Sequence, residues 1–395
     1  MLTIHGNARG RQVSVITPVF NGVRTIATAI ASVQAQTFVD WELLVIDDGS
    51  SDGSADVVSR VAAESRLRLI RQERGGPGAA RNRGISAAVG ELVAFLDADD
   101  LWPPGYLAAM TAALSRRPGA SLAFGSWQYI DENGALLSQR VIPFDGDGER
   151  AAAELPWRNA IVPSAVVVRS SALCRVGGFD TSFGACEDWD LWLRLIAEGG
   201  LVGVPKAWAL YRARAGSLTE DLEVMERERL RLNEKYHGPM GGDLALWPYD
   251  RRRAVGHTFF VSGLAYLRRR DDELGRQNIR RALEVWPGLA EEDELYYELA
   301  CARQPRGRRG PSRELDLDES ERLIEWVLPD TGGRPLPARA CLALGRLALH
   351  SGNRRAARHH AWTALQGSDW GTGRAAIGLL GAAVLPTLRS SRARA

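Results

Sequence analysis

The stretch "FLDADD" at 95–100 places three carboxylates within four positions, directly behind an apolar run. Like charges this close repel one another, and the interior of a strand does not tolerate them. Alone, the cluster reads either as a polar, helix-capping turn or as a place that holds positive charge. Further carboxylates stand at Asp47 and Asp48 in "VIDDGSSDGS" and at Glu187, Asp188 and Asp190 in "CEDWDLW". The last group also suits the first turn of a helix, where Asp caps the backbone and complements the dipole. Only one of the six histidines, His5, precedes residue 220. Histidine-based acid–base or triad chemistry therefore has no carrier in the first half, and carboxylates must move any proton. Carboxylates one residue apart at a strand end suit a hard divalent cation, whose charge cancels their repulsion and whose open positions accept phosphate oxygens. That chemistry points to a nucleotide diphosphate.

The elements around these clusters alternate. Short β-rich runs, "VSVIT" (13–17), "LLVID" (43–47), "LRLI" (67–70) and "LVAFLD" (92–97), are separated by helical patterns such as Ile26, Ile30 and Val33. Continuous apolar runs are what strands covered on both faces need, so the pattern predicts a parallel sheet flanked by helices. Each run ends in a polar cluster, and ligands of open α/β sheets bind beyond the carboxyl ends of the strands. "GGPGAARNRG" (75–84) opens a helix with small residues, which lets backbone amides approach an anion; it also reads as a tight turn with close packing. It lacks the third glycine of a dinucleotide fingerprint, and no GxxxxGK[ST] loop occurs.

A helix is expected over 188–199 and a domain boundary near 220–245, around "HGPMGGD" (237–243), after which the pattern is helical and Arg-rich. Gly263 to Ala282-Leu283 and Gly345 to Ala364-Leu365 repeat one spacing, each enclosing a helix, a polar turn and a second helix. The first copy is similar to a tetratricopeptide unit; generic helical-hairpin packing explains the pair equally well.

With 395 residues, 45% hydrophobic content and a net charge of +2, the chain is long enough for two to three domains and has real cores. No basic stripe interleaved with aromatics suggests nucleic acid. No stretch reaches the ~20 apolar residues that span a bilayer, and the start lacks a signal-peptide core, so the expected location is cytoplasmic. The segment "AAIGLLGAAVL" (375–385) reads as a packed helix or a peripheral membrane contact. Four unpaired-looking cysteines give neither a zinc nor a disulfide pattern.

Taken in order, "VSVITPVFNG", "VIDDGSSDGS", "GGPGAARNRG", "ELVAFLDADD", "GGFDTSFGACEDWDLWLRL" and "YRARAGSLT" closely resemble inverting glycosyltransferase family 2, over about residues 12–220. The resemblance implies an α/β GT-A fold in residues 1–235; the helical pattern and the repeat after it read as an all-α, tetratricopeptide-like domain in 241–395. The resemblance also implies a nucleotide-sugar donor, with a UDP-sugar favoured, a Mg2+ or Mn2+ ion, and single displacement with inversion. By position, Pro18, Val19 and Phe20 would line the nucleoside pocket and Asp48 would bond the base edge. Arg81 and Asn82 would lie beside the nucleotide, Asp97 near the ribose or sugar, and Asp99 on the metal. Asp188 would be the catalytic base, with Glu187 orienting the acceptor or the base. Trp189 and Trp192 flank that base and could contact a sugar, although at helical spacing such residues are more often core. Arg212 and Arg214 would belong to a closing loop; Arg214 stands where related sequences commonly carry His. Arg cannot ligate a metal but can neutralise phosphate.

The resulting expectation is sugar transfer in cell-envelope or surface-polysaccharide assembly, onto a glycan, lipid-linked or protein acceptor. The C-terminal helices would serve peripheral membrane or protein contacts. Two other readings stay open: a sugar nucleotidyltransferase, or a non-catalytic scaffold whose helical tail binds partners.

Overall fold

The computed structural model describes residues 12–61, 66–137, 141–214, 218–304, 316–328, 337–366 and 370–384. The chain divides into two compact units, Met1–Tyr236 and His237–Ala395.

The first unit is built on a seven-stranded sheet. Its strands are β1 (Val13–Val19), β2 (Trp41–Asp47), β3 (Leu67–Arg71), β4 (Leu92–Phe95), β5 (Ala120–Ile130), β6 (Val166–Arg169) and β7 (Gly200–Arg212), in the order β3-β2-β1-β4-β6-β5-β7. Only β6 runs against its neighbours, pairing antiparallel with β4 and β5; the other pairings are parallel. The helices are α1 (Ile26–Gln34), α2 (Ser54–Val61), α3 (Pro77–Ala87), α4 (Tyr106–Arg116), α5 (Gly148–Glu154), α6 (Ser170–Val176), α7 (Glu187–Glu198) and α8 (Leu222–His237).

Alternate strand residues supply two cores because successive side chains point to opposite faces. Val15, Leu43, Val45 and Ala94 pack with Ile26, Ile30 and Val33 of α1 and with Leu107 and Met110 of α4. Ile16, Leu44, Ile46, Val93 and Phe95 pack with Ala80 and Ile85 of α3 and with Trp189 and Trp192 of α7. Every residue of β2 is buried, which accounts for its unbroken apolar run. Helix α3 rides unusually close to the sheet: a Cβ on its Gly84 would collide with the side chain of Ile16.

The chain leaves β1 for β2 and β3 on one side and returns to β4 on the other, so β1 and β4 flank the topological switch point. "TPVFNG", "DDGSSDGS" and "LDADD" extend from the carboxyl ends of β1, β2 and β4. The predicted strand 92–97 stops at Phe95, which leaves Asp97 and its neighbours in the turn beyond it.

Strand β7 has no counterpart in the sequence reading. Pro205 cannot donate to a ladder and is confined to edge strands, and the β5–β7 register shifts at Gly125/Ser126.

The second unit is helical: α9 (Tyr249–Arg268), α10 (Asp272–Val285), α11 (Asp293–Ala300), α12 (Leu317–Val327), α13 (Ala338–His350), α14 (Arg354–Gln366) and α15 (Trp370–Val384). The two repeat copies are the hairpins α9–α10 and α13–α14. Their matching glycines sit at close helix contacts, Gly263 against Ile279 and Gly345 against His360 and Leu379. The segment 375–385 lies within α15 up to Val384; Leu385 falls outside the described residues. No described helix is long and apolar enough to cross a membrane.

Candidate functional site

The acidic turn after β4 is held from beneath. Ser164, fully buried, donates its hydroxyl to Asp100 Oδ2 at 2.6 Å and accepts the Asp97 amide at 3.1 Å. Asp100 Oδ1 also accepts the Arg212 amide at 2.9 Å. Burial, then Asp99 and Asp97, pushes the Asp100 carboxyl well above the usual carboxylate range. Asp100 is therefore an internal fastener, and Asp97 and Asp99 are the carboxylates turned to the site. Nothing in the local sequence marks Ser164, which stands 64 residues from Asp100.

Arg81 joins two of the acidic motifs. Buried near the start of α3, it donates from Nη2 to Asp97 Oδ1 at 2.7 Å and from Nη1 to Glu187 Oε1 at 2.8 Å. Those carboxylates raise its affinity for the proton against the cost of burial. The small residues of "GGPGAARNRG" allow this geometry, since a Cβ on Gly78 would stand 3.3 Å from Glu187 Cγ. Asn82, one residue on, donates to the Phe179 carbonyl and accepts the Phe179 amide, both at 2.8 Å. It fastens the 177–180 segment to α3.

Asp188 follows Glu187 in the first turn of α7 and is partly buried. Burial, reinforced by Glu187 and opposed by Arg81, raises its carboxyl to about 7. It accepts the Trp189 amide at 2.7 Å. A carboxylate with this proton affinity suits general-base work near neutral pH. Cys186 before it takes the left-handed φ of 65°, and burial raises its thiol to about 12. Asp190, two residues on, has a different task. Fully buried, it accepts Arg194 at 2.7 and 2.9 Å, Lys235 at 2.6 Å and the Tyr236 hydroxyl at 2.9 Å. It rivets α7 to α8.

Arg212 lies at the end of β7. It donates from Nε to the Asp99 carbonyl at 2.8 Å and from Nη1 to the Asp131 and Glu132 carbonyls, each at 2.7 Å. It staples the acidic turn to the loop after β5. Arg214 Nε pairs with Asp99 Oδ2 at 2.7 Å. Burial raises the Asp99 carboxyl and Arg214 opposes that rise. Residues 215–217 of "YRARAGSLT" lie outside the described residues.

Around the ends of β1 and β2 the loops are stitched together. Asn21, with a φ of 49°, donates its amide to Ser50 Oγ at 3.0 Å and accepts the Ser51 amide at 2.9 Å. Asp48 is already engaged: Oδ1 accepts Gln72 Nε2 at 2.7 Å and the Gly75 amide at 2.8 Å, and Oδ2 accepts the Gly76 amide at 2.8 Å. The loop amides read from sequence as an anion cradle thus serve Asp48 at these two positions. Arg74, not singled out in the sequence, lies over the exposed Phe20 ring at 3.2 Å. Pro18 is half-buried beside them, whereas the Val19 side chain is buried in the core.

Trp189 requires a correction. It is buried between α7 and the sheet and donates its indole N–H to the Leu155 carbonyl at 2.7 Å, so its ring is not presented to a sugar. Trp192 is likewise in the core. Their spacing on one face of α7 reflects packing.

An open α/β sheet with acidic loops at its switch point defines a class of proteins that bind ligands over the strand ends. Residues 14–175 match the family described as Glycosyl transferase family 2. The UDP-Glc:alpha-D-GlcNAc-diphosphoundecaprenol beta-1,3-glucosyltransferase WfgD of Escherichia coli is 31% identical over 193 residues, 49% of this chain and 72% of that protein. An uncharacterized glycosyltransferase of Rickettsia felis is 31% identical over 53% of this chain, which spans only 34% of that relative's length. A mannosyltransferase from Pyrobaculum calidifontis, solved with GDP-Man and Mn2+, superposes with a TM-score of 0.49 at 20% identity, covering 96% of this chain and 90% of that one. The chain belongs to glycosyl transferase family 2.

Proposed function

We propose that the first unit is an inverting glycosyltransferase domain that moves a sugar from a nucleotide-sugar donor, a UDP-sugar by preference, to an acceptor hydroxyl. The observation that carries this reading is the link from Asp97 through Arg81 and Glu187 to the carboxyl of Asp188, raised to about 7. A carboxyl of this proton affinity close to the acidic turn supports a base acting beside the donor's diphosphate.

In the reaction the acceptor oxygen attacks the anomeric carbon from the face opposite the diphosphate. Asp188 takes the hydroxyl proton as the new C–O bond forms, and the bond to the nucleoside diphosphate breaks with its electron pair staying on phosphate. Asp188 then gives its proton to water. Phe20 and Pro18 offer a surface for the nucleoside, with Arg74 able to stack on a base. Asp48 Oδ2 accepts a single loop amide and so keeps acceptor capacity for the base edge.

Among the described residues no three His, Cys, Asp or Glu side chains form a metal cage. The donor set nonetheless fits Mg2+ or Mn2+: Asp99 and Asp97 each have one carboxylate oxygen outside their arginine pairs, and such ions take one or two carboxylates plus phosphate oxygens. When bound, the ion would neutralise charge on the departing diphosphate. Arg212 and Arg214 place further positive charge on the same side.

The acceptor class is a glycan, a lipid-linked glycan or a protein, and the setting is assembly of envelope or surface polysaccharide on the cytoplasmic side. WfgD supports the lipid-linked option through its named acceptor. The helical unit is assigned to acceptor or protein docking, since paired helices stack into binding surfaces.

The test is a thermal-shift panel of nucleotide sugars with and without Mn2+, followed by Asp188→Asn. A ligand that binds the native state raises its melting temperature by mass action. Asp188→Asn should keep donor binding and lose roughly 10²–10⁴-fold in turnover. Near-normal turnover would remove Asp188 from the reaction, and loss of donor binding would make it a ligand contact.

A further inference from the structure

The last two helices carry charge of one sign. Arg354, Arg355, Arg358 and Arg374 are their cations, and neither helix contains Asp or Glu. The inward stripe of α14 is Ala357, His360, Ala361 and Ala364. Ala361 and Ala364 meet Cys341 and Leu342 of α13 and Ala376 and Leu379 of α15 in a small core. The outward stripe is Arg355, Arg358, His359 and Trp362, at the spacing that lines one helical face. Trp362 is 59% exposed. Among the described residues no carboxylate pairs with Arg355 or Arg358.

Helix α15 is equally unusual on its outer side. Among the residues whose exposure is described, its exposed positions are Arg374, Ile377, Gly378 and Ala382, with Ile377 61% exposed. Apart from Arg374, that outer stripe is apolar.

We propose that the α14–α15 pair docks on an anionic lipid surface. Arg355 and Arg358 would meet the headgroups, and Trp362 would settle at the boundary between headgroup and acyl chain, where a ring with one polar edge is favoured. Ile377 on the packed neighbour adds apolar surface of a kind that water does not reward. An acidic glycan would also attract the arginines. Sugar sites, however, surround an aromatic ring with side chains that fix hydroxyls. His359 and Gln366 on the outer face of α14 could also bond hydroxyls, but Ile377 and Ala382 on the neighbouring stripe offer a sugar no polar partner. The charge and the exposed aliphatic surface together favour lipid.

This inference is independent of the transfer reaction, and its test does not use transfer. The full chain is sedimented with phosphatidylcholine vesicles, with and without phosphatidylglycerol, at low and high salt. Binding is expected only with phosphatidylglycerol and is expected to weaken as salt rises. Replacing both arginines (Arg355→Gln with Arg358→Gln) should weaken binding about 30-fold, at ~1 kcal/mol for each cation near the surface. Trp362→Ala should weaken it at unchanged charge. Circular dichroism melts and UDP affinity, both expected to stay at wild-type values, would show that the variants are folded. Equal binding to neutral and anionic vesicles, no binding at all, or an unaffected double variant would overturn the proposal. So would retention on an acidic polysaccharide without vesicle binding, which would assign the face to a glycan.

Discussion

The Arg214 guanidinium holds Asp99 at 2.7 Å, on the carboxylate proposed to receive the metal. A tethered cation and a free one therefore compete for Asp99. Arg214→Gln should raise affinity for Mn2+ in the absence of nucleotide by about 2–5-fold, the scale of a partly exposed ion pair. The same change should weaken UDP binding, because a charge that would face phosphate is lost. Electron paramagnetic resonance of free Mn2+ and titration calorimetry with UDP separate the two effects. Unchanged Mn2+ affinity would mean that Asp99 is not the site of competition.

Asp99→Asn removes the carboxylate itself. Metal-dependent donor binding should disappear while the fold persists, since Asp99 lies in a turn beyond β4 and outside both cores. UDP affinity that still rises with Mn2+ in the variant would place the ion elsewhere.

Asp188 gives a pH dependence with a definite sign. With its carboxyl raised to about 7, it is protonated below that value and cannot accept a proton, so turnover should fall as pH drops through about 7. Stability should run the other way. The folded state holds this proton more tightly than the unfolded chain, so the contribution of Asp188 to stability is complete below about pH 4 and is lost as pH rises through about 7. Asp188→Asn should therefore raise the melting temperature at pH 8 and change it little at pH 4. An equal shift at both values would detach the effect from ionisation.

Asp190, two residues on, should behave in the opposite way. Asp190→Asn leaves Arg194 and Lys235 facing a neutral group at a fully buried position and should cost on the order of 3 kcal/mol in urea unfolding. A loss below about 1 kcal/mol would reduce the rivet to a surface-like pair.

Cutting after Met240 keeps α8 and its rivet. Residues 1–240 should stay folded, bind donor and hydrolyse it slowly, yet transfer poorly to the native acceptor. Aggregation of the fragment would show instead that the helical unit covers an apolar face. Full transfer to the native acceptor would defeat both roles.

Much of the sheet was legible because β1, β2 and β4 are buried on both faces and so read as unbroken apolar runs. The acidic motifs at 47–48 and 97–100 were legible for a related reason, because each follows a buried strand, β2 or β4, whereas Glu187, Asp188 and Asp190 open helix α7. Pro205 and its neighbouring glycines hid β7 by removing the apolar run and the alternation. Ser164 was invisible because its importance arises from a contact made far along the chain. For Trp189 the core reading that its helical spacing favoured holds and the sugar contact does not, because a helical stripe beside an acidic motif looks the same whether it faces a ligand or a core. Of the partners of Asp190, Arg194 stands four residues on along the expected helix, but Lys235 and Tyr236, 45 and 46 positions away, left no local sign.

Gly84 has no chemistry to perform, yet it lets α3 lie against Ile16 and so fixes where Arg81 stands relative to the strands. Any side chain there would lift the helix and pull the guanidinium away from Asp97 and Glu187 together. In a saturation mutagenesis screen scored by activity, Gly84 would group with the acidic residues, and ranking positions by intolerance would mistake a spacer for a catalyst. Measuring thermal stability beside activity would tell them apart, because Gly84→Ala should lower both, whereas Asp188→Asn should lower only turnover.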